Sequence, residues 1–180
     1  MEKKKPPESI STGRLILRKP RLEDAEAIFR NYASDSEVTR FLVWHPHSQL
    51  HQTREFISAC IRSWQEEERF PFVICQAGSV EAIGMIELRL EEFKADIGYV
   101  LARNYWGRGY MTEALRALIA WCFEQPGIYR VWAVCDTENF ASARVMEKAG
   151  LQREGRLRRE IIHPNITEVP RDVYIYSLVK

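Results

Sequence analysis

The chain has 180 residues, 46% of them hydrophobic and 28% charged, a balance that fits one globular core and excludes fibrous and disordered classes. Its 26 basic and 25 acidic residues leave a formal charge of +1, so no global field favours nucleic acid, and no apolar run approaches the roughly 20 residues of a membrane span. The four cysteines, Cys60, Cys75, Cys122 and Cys135, are scattered without metal-ligand spacing. They read as buried small hydrophobes, so the expectation is a cytoplasmic protein with reduced thiols and no metal.

Residues 1–10 are charged and proline-containing but lack an apolar h-region, so a disordered tail is expected there, followed by a single domain over 11–180. Residues 14–18 alternate as a first strand. Leu22, Ala25, Ile28, Phe29 and Tyr32 recur at helical spacing, and Thr53, Phe56, Ile57, Cys60, Ile61 and Trp64 form a second, cleaner stripe. The segment 41–47 between them holds Trp44, His45 and His47, and reads as a pocket wall or as a lid on the core. An antiparallel meander is expected over 70–76, 80–90 and 94–101, then a helix from 112 to 125 stopped by Pro126 and Gly127. A strand over 129–135 and a helix over 139–149, capped by Asn139 and Gly150, follow. Strands over 151–162 and 173–179 close the chain as a hairpin around a polar turn at His163, Pro164 and Asn165.

The segment that joins the meander to the helix is the most informative. Gly107 and Gly109 permit backbone conformations denied to other residues, so successive N–H groups can face one ligand, and the helix adds its positive end. That is a seat for phosphate. A dinucleotide fingerprint would need a third glycine and a βαβ array, and a Walker loop would need Gly-Lys-Ser/Thr; neither is here.

The run Tyr105-Trp-Gly-Arg-Gly-Tyr-Met-Thr-Glu-Ala-Leu115, then Asn139-Phe-Ala-Ser142 and Val145-Met-Glu-Lys-Ala-Gly-Leu151, resembles the GNAT superfamily of N-acetyltransferases. The branch most similar is that of the ribosomal-protein N-terminal acetyltransferases called RimJ/RimL-like. The resemblance covers nearly the whole chain. It implies an α/β (α+β) GNAT fold: a central mixed, mostly antiparallel sheet of about seven strands with about four helices, the fourth and fifth strands splayed around the cofactor. The implied cofactor is acetyl-CoA, released as coenzyme A. Its pyrophosphate would lie on the amides of Trp106, Gly107, Arg108, Gly109, Tyr110, Met111 and Thr112. Its pantetheine arm would lie between Ile97, Tyr99, Val100 and Leu101 on one strand and residues 131–136 on the other, touching Asn139 and Ser142. Met111 replaces the usual small residue and would narrow the loop.

Acetyl transfer to an amine needs a base, an oxyanion donor and a proton for the departing sulfur. Asp96, which opens the strand feeding the loop and matches a position where the superfamily often carries a glutamate, is the first candidate base, and Glu87 on the preceding strand the second. Either could instead be a solvated acid or an ion-pair partner. A backbone N–H of residues 97–101 would polarise the carbonyl. The tyrosine that often protonates the sulfur in the superfamily is matched here by Met146, which leaves Ser142 as the substitute. Weaker candidates are His45, His47 and Glu160, with Arg156, Arg158 and Arg159 on the penultimate strand. The expected activity is transfer of an acetyl group to a primary amine, a protein N-terminus or a small molecule, in a ternary complex; the rival is an acetyl-CoA-binding sensor without transferase activity. A homodimer stays open.

Overall fold

The computed structural model describes residues 5–67 and 69–180, so the part of the expected tail over 1–4 lies outside the described residues. Among them are eight strands in one sheet and five α-helices. The sheet order is β1 (Ser9–Ser11), β2 (Leu15–Arg18), β3 (Phe70–Gln76), β4 (Gly84–Leu90), β5 (Lys94–Leu101), β6 (Arg130–Asp136), β8 (Arg171–Val179) and β7 (Gln152–Ile161). Every neighbouring pair is antiparallel except β5 with β6. No helix among the described residues is long and apolar enough to cross a membrane.

Two expectations change at the amino end. Residues 9 and 10, expected in the tail, instead join Ser11 in β1 and pair with β2, because Lys19 and Thr12 amides close the hairpin onto Glu8 and Leu15 carbonyls. The first helix is short: α1 (Asp24–Ile28) continues as a π-turn through residues 29–33, and a further short helix, α2 (Ser36–Thr39), follows on its Asp35 cap. The strand expected from residue 80 begins only at Gly84. A Cβ there would stand 2.6 Å from the Val100 carbonyl, so the close approach of β4 to β5 requires glycine.

Strand alternation directs one set of side chains to each face, and two cores result. On one face α4 (Tyr110–Glu124) and α5 (Phe140–Ala149) cover Phe72, Ile74, Ile86, Leu88, Ile97, Ala133 and Tyr176. On the other, α1 and α3 (Leu50–Gln65) cover Val73, Cys75 and Met85. Helix α4 docks through Ala114, Leu115, Leu118 and Cys122, one turn apart along a single stripe. The buried indole of Trp64 keeps its N–H satisfied at the Pro71 carbonyl, 2.7 Å away. All four cysteines are buried and unpaired.

Candidate active site

The parallel junction of β5 with β6 is only three pairs long, Lys94 with Arg130, Ala95 with Val131 and Asp96 with Trp132. Beyond it the two strands no longer pair, which leaves a slot in the middle of the sheet. In an antiparallel ladder, residues alternate between bonding the neighbour and turning both backbone groups away from it. The Glu91 amide bonds the Lys94 carbonyl and the Ala102 amide bonds the Ile83 carbonyl, which sets the phase. Asp96, Gly98 and Val100 therefore bond β4, while the alternate residues face β6: the Ile97 N–H closes the last parallel pair at Trp132, and the Ile97 C=O and the backbone groups of Tyr99 and Leu101 turn into the slot. Val100, expected among the cofactor contacts, contributes no backbone group to it. The Leu101 carbonyl is taken by the indole N–H of the half-exposed Trp106, at 2.7 Å, which pins the strand end to the loop.

At the mouth of the slot, Gly107 and Gly109 hold φ values of 74° and 77°, the left-handed region that other side chains resist. Gly109 is the N-cap of α4. Among the described residues, no protein acceptor takes the backbone N–H of any residue from Gly107 to Thr112, so a continuous run of amides lines one helix end. Met111 and Thr112 bury their side chains in the core, so Met111 does not narrow the cradle as the sequence implied. Arg14 reaches across with its guanidinium to the Arg108 carbonyl at 3.0 Å, and Glu113 binds Arg14 Nε at 2.7 Å and Thr12 Oγ1 at 2.6 Å. Burial alone would raise the Glu113 pKa; those bonds outweigh it and hold the carboxyl below its usual range. This loop and slot fit a ligand with a phosphate end and an extended amide-bearing arm.

Tyr99, on the α5 face, crosses the slot. Its hydroxyl lies 2.8 Å from Ser142 Oγ and 3.2 Å from the Ser142 carbonyl. Burial pushes the phenol well above its ordinary pKa, so it remains a proton donor. Asn139 caps α5 by accepting the Ser142 amide at 3.1 Å, which fixes the turn that carries Ser142. Met146, one turn on, is fully buried and faces the core. The Tyr99 contact joins residues 43 apart in sequence. Only the alternation of Tyr99 with Ile97 and Leu101 could have placed it on the α5 face.

On the opposite face Asp96 and Glu87 are brought together by one guanidinium. Arg89 Nε donates to Asp96 Oδ2 at 2.7 Å and Arg89 Nη1 to Glu87 Oε1 at 2.6 Å. Gly98 leaves room for this cluster, since a Cβ there would meet Arg89 at 3.3 Å. Burial raises the Asp96 pKa, and the Arg89 charge and hydrogen bonds only partly counter it. Asp96 sits at the last paired position, where the slot begins.

The two loops above this face meet. Asn165 donates to the Thr39 and Trp44 carbonyls at 2.7 and 2.8 Å and contacts His45 Nδ1 at 3.0 Å, while His47 bonds Thr53 at 2.8 Å. Both histidines are thus engaged in holding the wall. Glu160 is exposed on β7. His163, expected in a polar turn, is buried against Phe41 with its Nε2 3.5 Å from Asp136. Burial lowers its pKa, and the Asp136 charge offsets that in part. Asp136 itself is bound by Arg171 through Nε at 2.6 Å and Nη2 at 3.0 Å. This buried cluster at the end of β6 was not anticipated.

Comparison with known proteins agrees with this fold. The acetyltransferase (GNAT) domain family matches residues 14–152. An uncharacterized N-acetyltransferase, p20, of Bacillus licheniformis is 34% identical over 176 residues, covering 96% of this chain and 97% of that protein. A solved GNAT-family acetyltransferase from Bacillus anthracis superposes with a TM-score of 0.82 at 30% identity, covering 95% of this chain and 98% of the other. An acetyl transferase from Salmonella typhimurium that modifies the N-terminal serine of ribosomal protein L7/L12 shares the fold with a TM-score of 0.80 at 21% identity, covering 94% and 96%.

Proposed function

The chain belongs to the GNAT acetyltransferase family, and on that premise we propose that it transfers acetyl from acetyl-CoA directly to a primary amine, a protein N-terminal α-amine, in a ternary complex. The observation that carries the reading is the continuity of the amide loop at residues 107–112 with the slot lined by Ile97, Tyr99 and Leu101. The fold likeness to an enzyme acting on a ribosomal-protein terminus supports the α-amine.

Acetyl-CoA, when bound, supplies the acetyl thioester and a sulfur leaving group. The loop amides and the positive end of α4 bind phosphate, and the slot-facing backbone of Ile97 and Tyr99 aligns an extended arm beside β5. From Leu101 down to Asp96 is five residues, or about 17 Å of strand, which puts the reacting end near the base of the slot. There the backbone N–H of Tyr99, the first that faces the slot, can polarise a carbonyl. Asp96, its pKa raised by burial, takes the amine proton, and Arg89 keeps its carboxylate in place. On the other side Ser142 Oγ gives a proton to the departing sulfur as it takes one from Tyr99, and Tyr99 regains its proton from solvent when the product leaves.

Incubation with labelled acetyl-CoA and a panel of peptides and small amines tests the reading. Labelled N-terminally acetylated peptide is the expected product; binding of acetyl-CoA without product from any amine would make the chain a sensor instead. Two substitutions probe the roles. Ser142→Ala should lower kcat about a hundredfold and Tyr99→Phe by less, with KM for acetyl-CoA changed little. The pKa of the bound coenzyme A thiol, followed by thiolate absorbance, should rise in both. Asp96→Asn should lower kcat about tenfold or more at neutral pH while calorimetric affinity for coenzyme A stays the same. Unchanged turnover would remove Asp96 as the base.

A further inference from the structure

Strand β7 is the outer edge of the sheet and pairs only with β8. Between the pairs Leu157 with Val173 and Ile161 with Arg171, β7 advances four residues while β8 advances two, so residues 158–160 bulge. Arg159 adopts a φ of 54°, the left-handed region, at the centre of that bulge. Asp172 closes it: Oδ1 accepts the Arg159 amide at 2.9 Å and Oδ2 accepts Arg156 Nε at 2.7 Å. An open cavity of about 490 Å³ results, lined by Arg156, Arg158, Arg159 and Asp172. One carboxylate faces three guanidinium groups, and Arg158 has no ion pair or hydrogen bond among the described residues. A bulged, charged edge also discourages pairing with other chains. Edge protection does not require the charges to converge on a cavity, nor to leave it with excess positive charge.

The cavity is close to the slot. The Thr137 amide, next to Asp136 at the end of β6, donates to the Asp172 carbonyl at 3.2 Å. From Trp132, level with Asp96 at the base of the slot, the path climbs five residues of β6 to the level of Asp172 and crosses two strand spacings to β7, about 20 Å in all, the length of about six extended residues. The loop that leaves the bulge is the one whose Asn165 anchors the wall carrying Trp44. We propose that the arginine cavity binds carboxylate side chains of a polypeptide acceptor, from about its sixth residue onward, while its N-terminal amine reaches the base of the slot. This rests on the N-acetyltransferase reading above. Guanidinium forks pair bidentately with carboxylates, so the site selects acidic termini over neutral or basic ones.

The test uses three labelled peptides sharing their first five residues, followed by four Glu, four Gln or four Lys, with both binding in the presence of coenzyme A and acetylation measured. The Glu peptide should bind about tenfold tighter than the Gln peptide, and the Lys peptide weakest. Arg158→Gln should bring the Glu and Gln peptides to within about twofold, and Arg158→Glu should favour the Lys peptide. Equal binding of the Glu and Gln peptides to the unaltered protein, or a preference that survives Arg158→Gln, overturns the proposal. Preferential binding without acetylation of any peptide keeps the anion site and overturns α-amine transfer; acetylation of all three at equal rates and affinities does the reverse.

Discussion

Gly109→Val should abolish coenzyme A binding while the protein still folds. The φ of 77° at Gly109 is a conformation that costs an L-residue about 1–2 kcal/mol, and a β-branched one more. The nearest atom to a new Cβ is Arg14 Nη2 at 3.5 Å, an ordinary contact, so the damage comes from the backbone and not from a clash. Valine escapes by leaving the left-handed region, which turns the amides of residues 107–112 away from their common focus. Losing one charge-assisted amide bond adds about 1.5–3 kcal/mol, so the total of about 3–5 kcal/mol corresponds to a rise in Kd of about two to three orders of magnitude. Calorimetry with coenzyme A reads this directly. An affinity within about fivefold of the unaltered protein would show that the loop is not the phosphate seat.

Arg171→Met should cost about 3 kcal/mol of stability, read by urea unfolding at neutral pH. Asp136 is buried at the end of β6, and its carboxylate takes two bonds from Arg171 and one from the Glu138 amide at 2.9 Å. Burial by itself raises its pKa, but these partners prevail and hold it below the ordinary carboxylate value. A depressed folded-state pKa contributes stability that is fully present above the unfolded value near 3.9 and is lost as pH falls through the folded value. In the variant burial acts with less opposition, so the carboxyl protonates at higher pH and the deficit relative to the unaltered protein should shrink as pH drops below about 4. The paired change Asp136→Leu with Arg171→Met should recover much of the loss, since it leaves no unpaired buried charge. A single variant as stable as the parent would show that the pair is neutral to the fold.

Features set by local chemistry were legible in the sequence. The two positive-φ glycines before a helix, the Asn139 cap, the Gly150 stop and the apolar stripe of α3 each declare themselves within a few residues, and the structure has them where expected. What escaped depends on residues far apart. Strand β1 is three residues long and exists only because β2 pairs with it. His163 looks like part of a polar turn and is buried because the segment near Phe41 packs over it. The sharing of Arg89 by Glu87 and Asp96 follows from the β4–β5 register, which sets Glu87 opposite Gly98 and Arg89 opposite Asp96. The bulge in β7 has no local signal, since arginine is an unusual choice at a left-handed position.

Glu113 ties the phosphate loop to a hairpin about a hundred residues earlier in the chain, through the Arg14 amide at 2.8 Å and through Thr12. Contacts between such distant segments are the slowest to form, because their loop-closure entropy must be overcome before they contribute. The loop at residues 107–112 should therefore gain its brace late in folding, after the local hydrogen bonds of α4 have formed. A chain that has collapsed without bringing its amino end home would hold helix α4 but not the braced loop in front of it, and in refolding experiments coenzyme A binding should return only when the amino end docks.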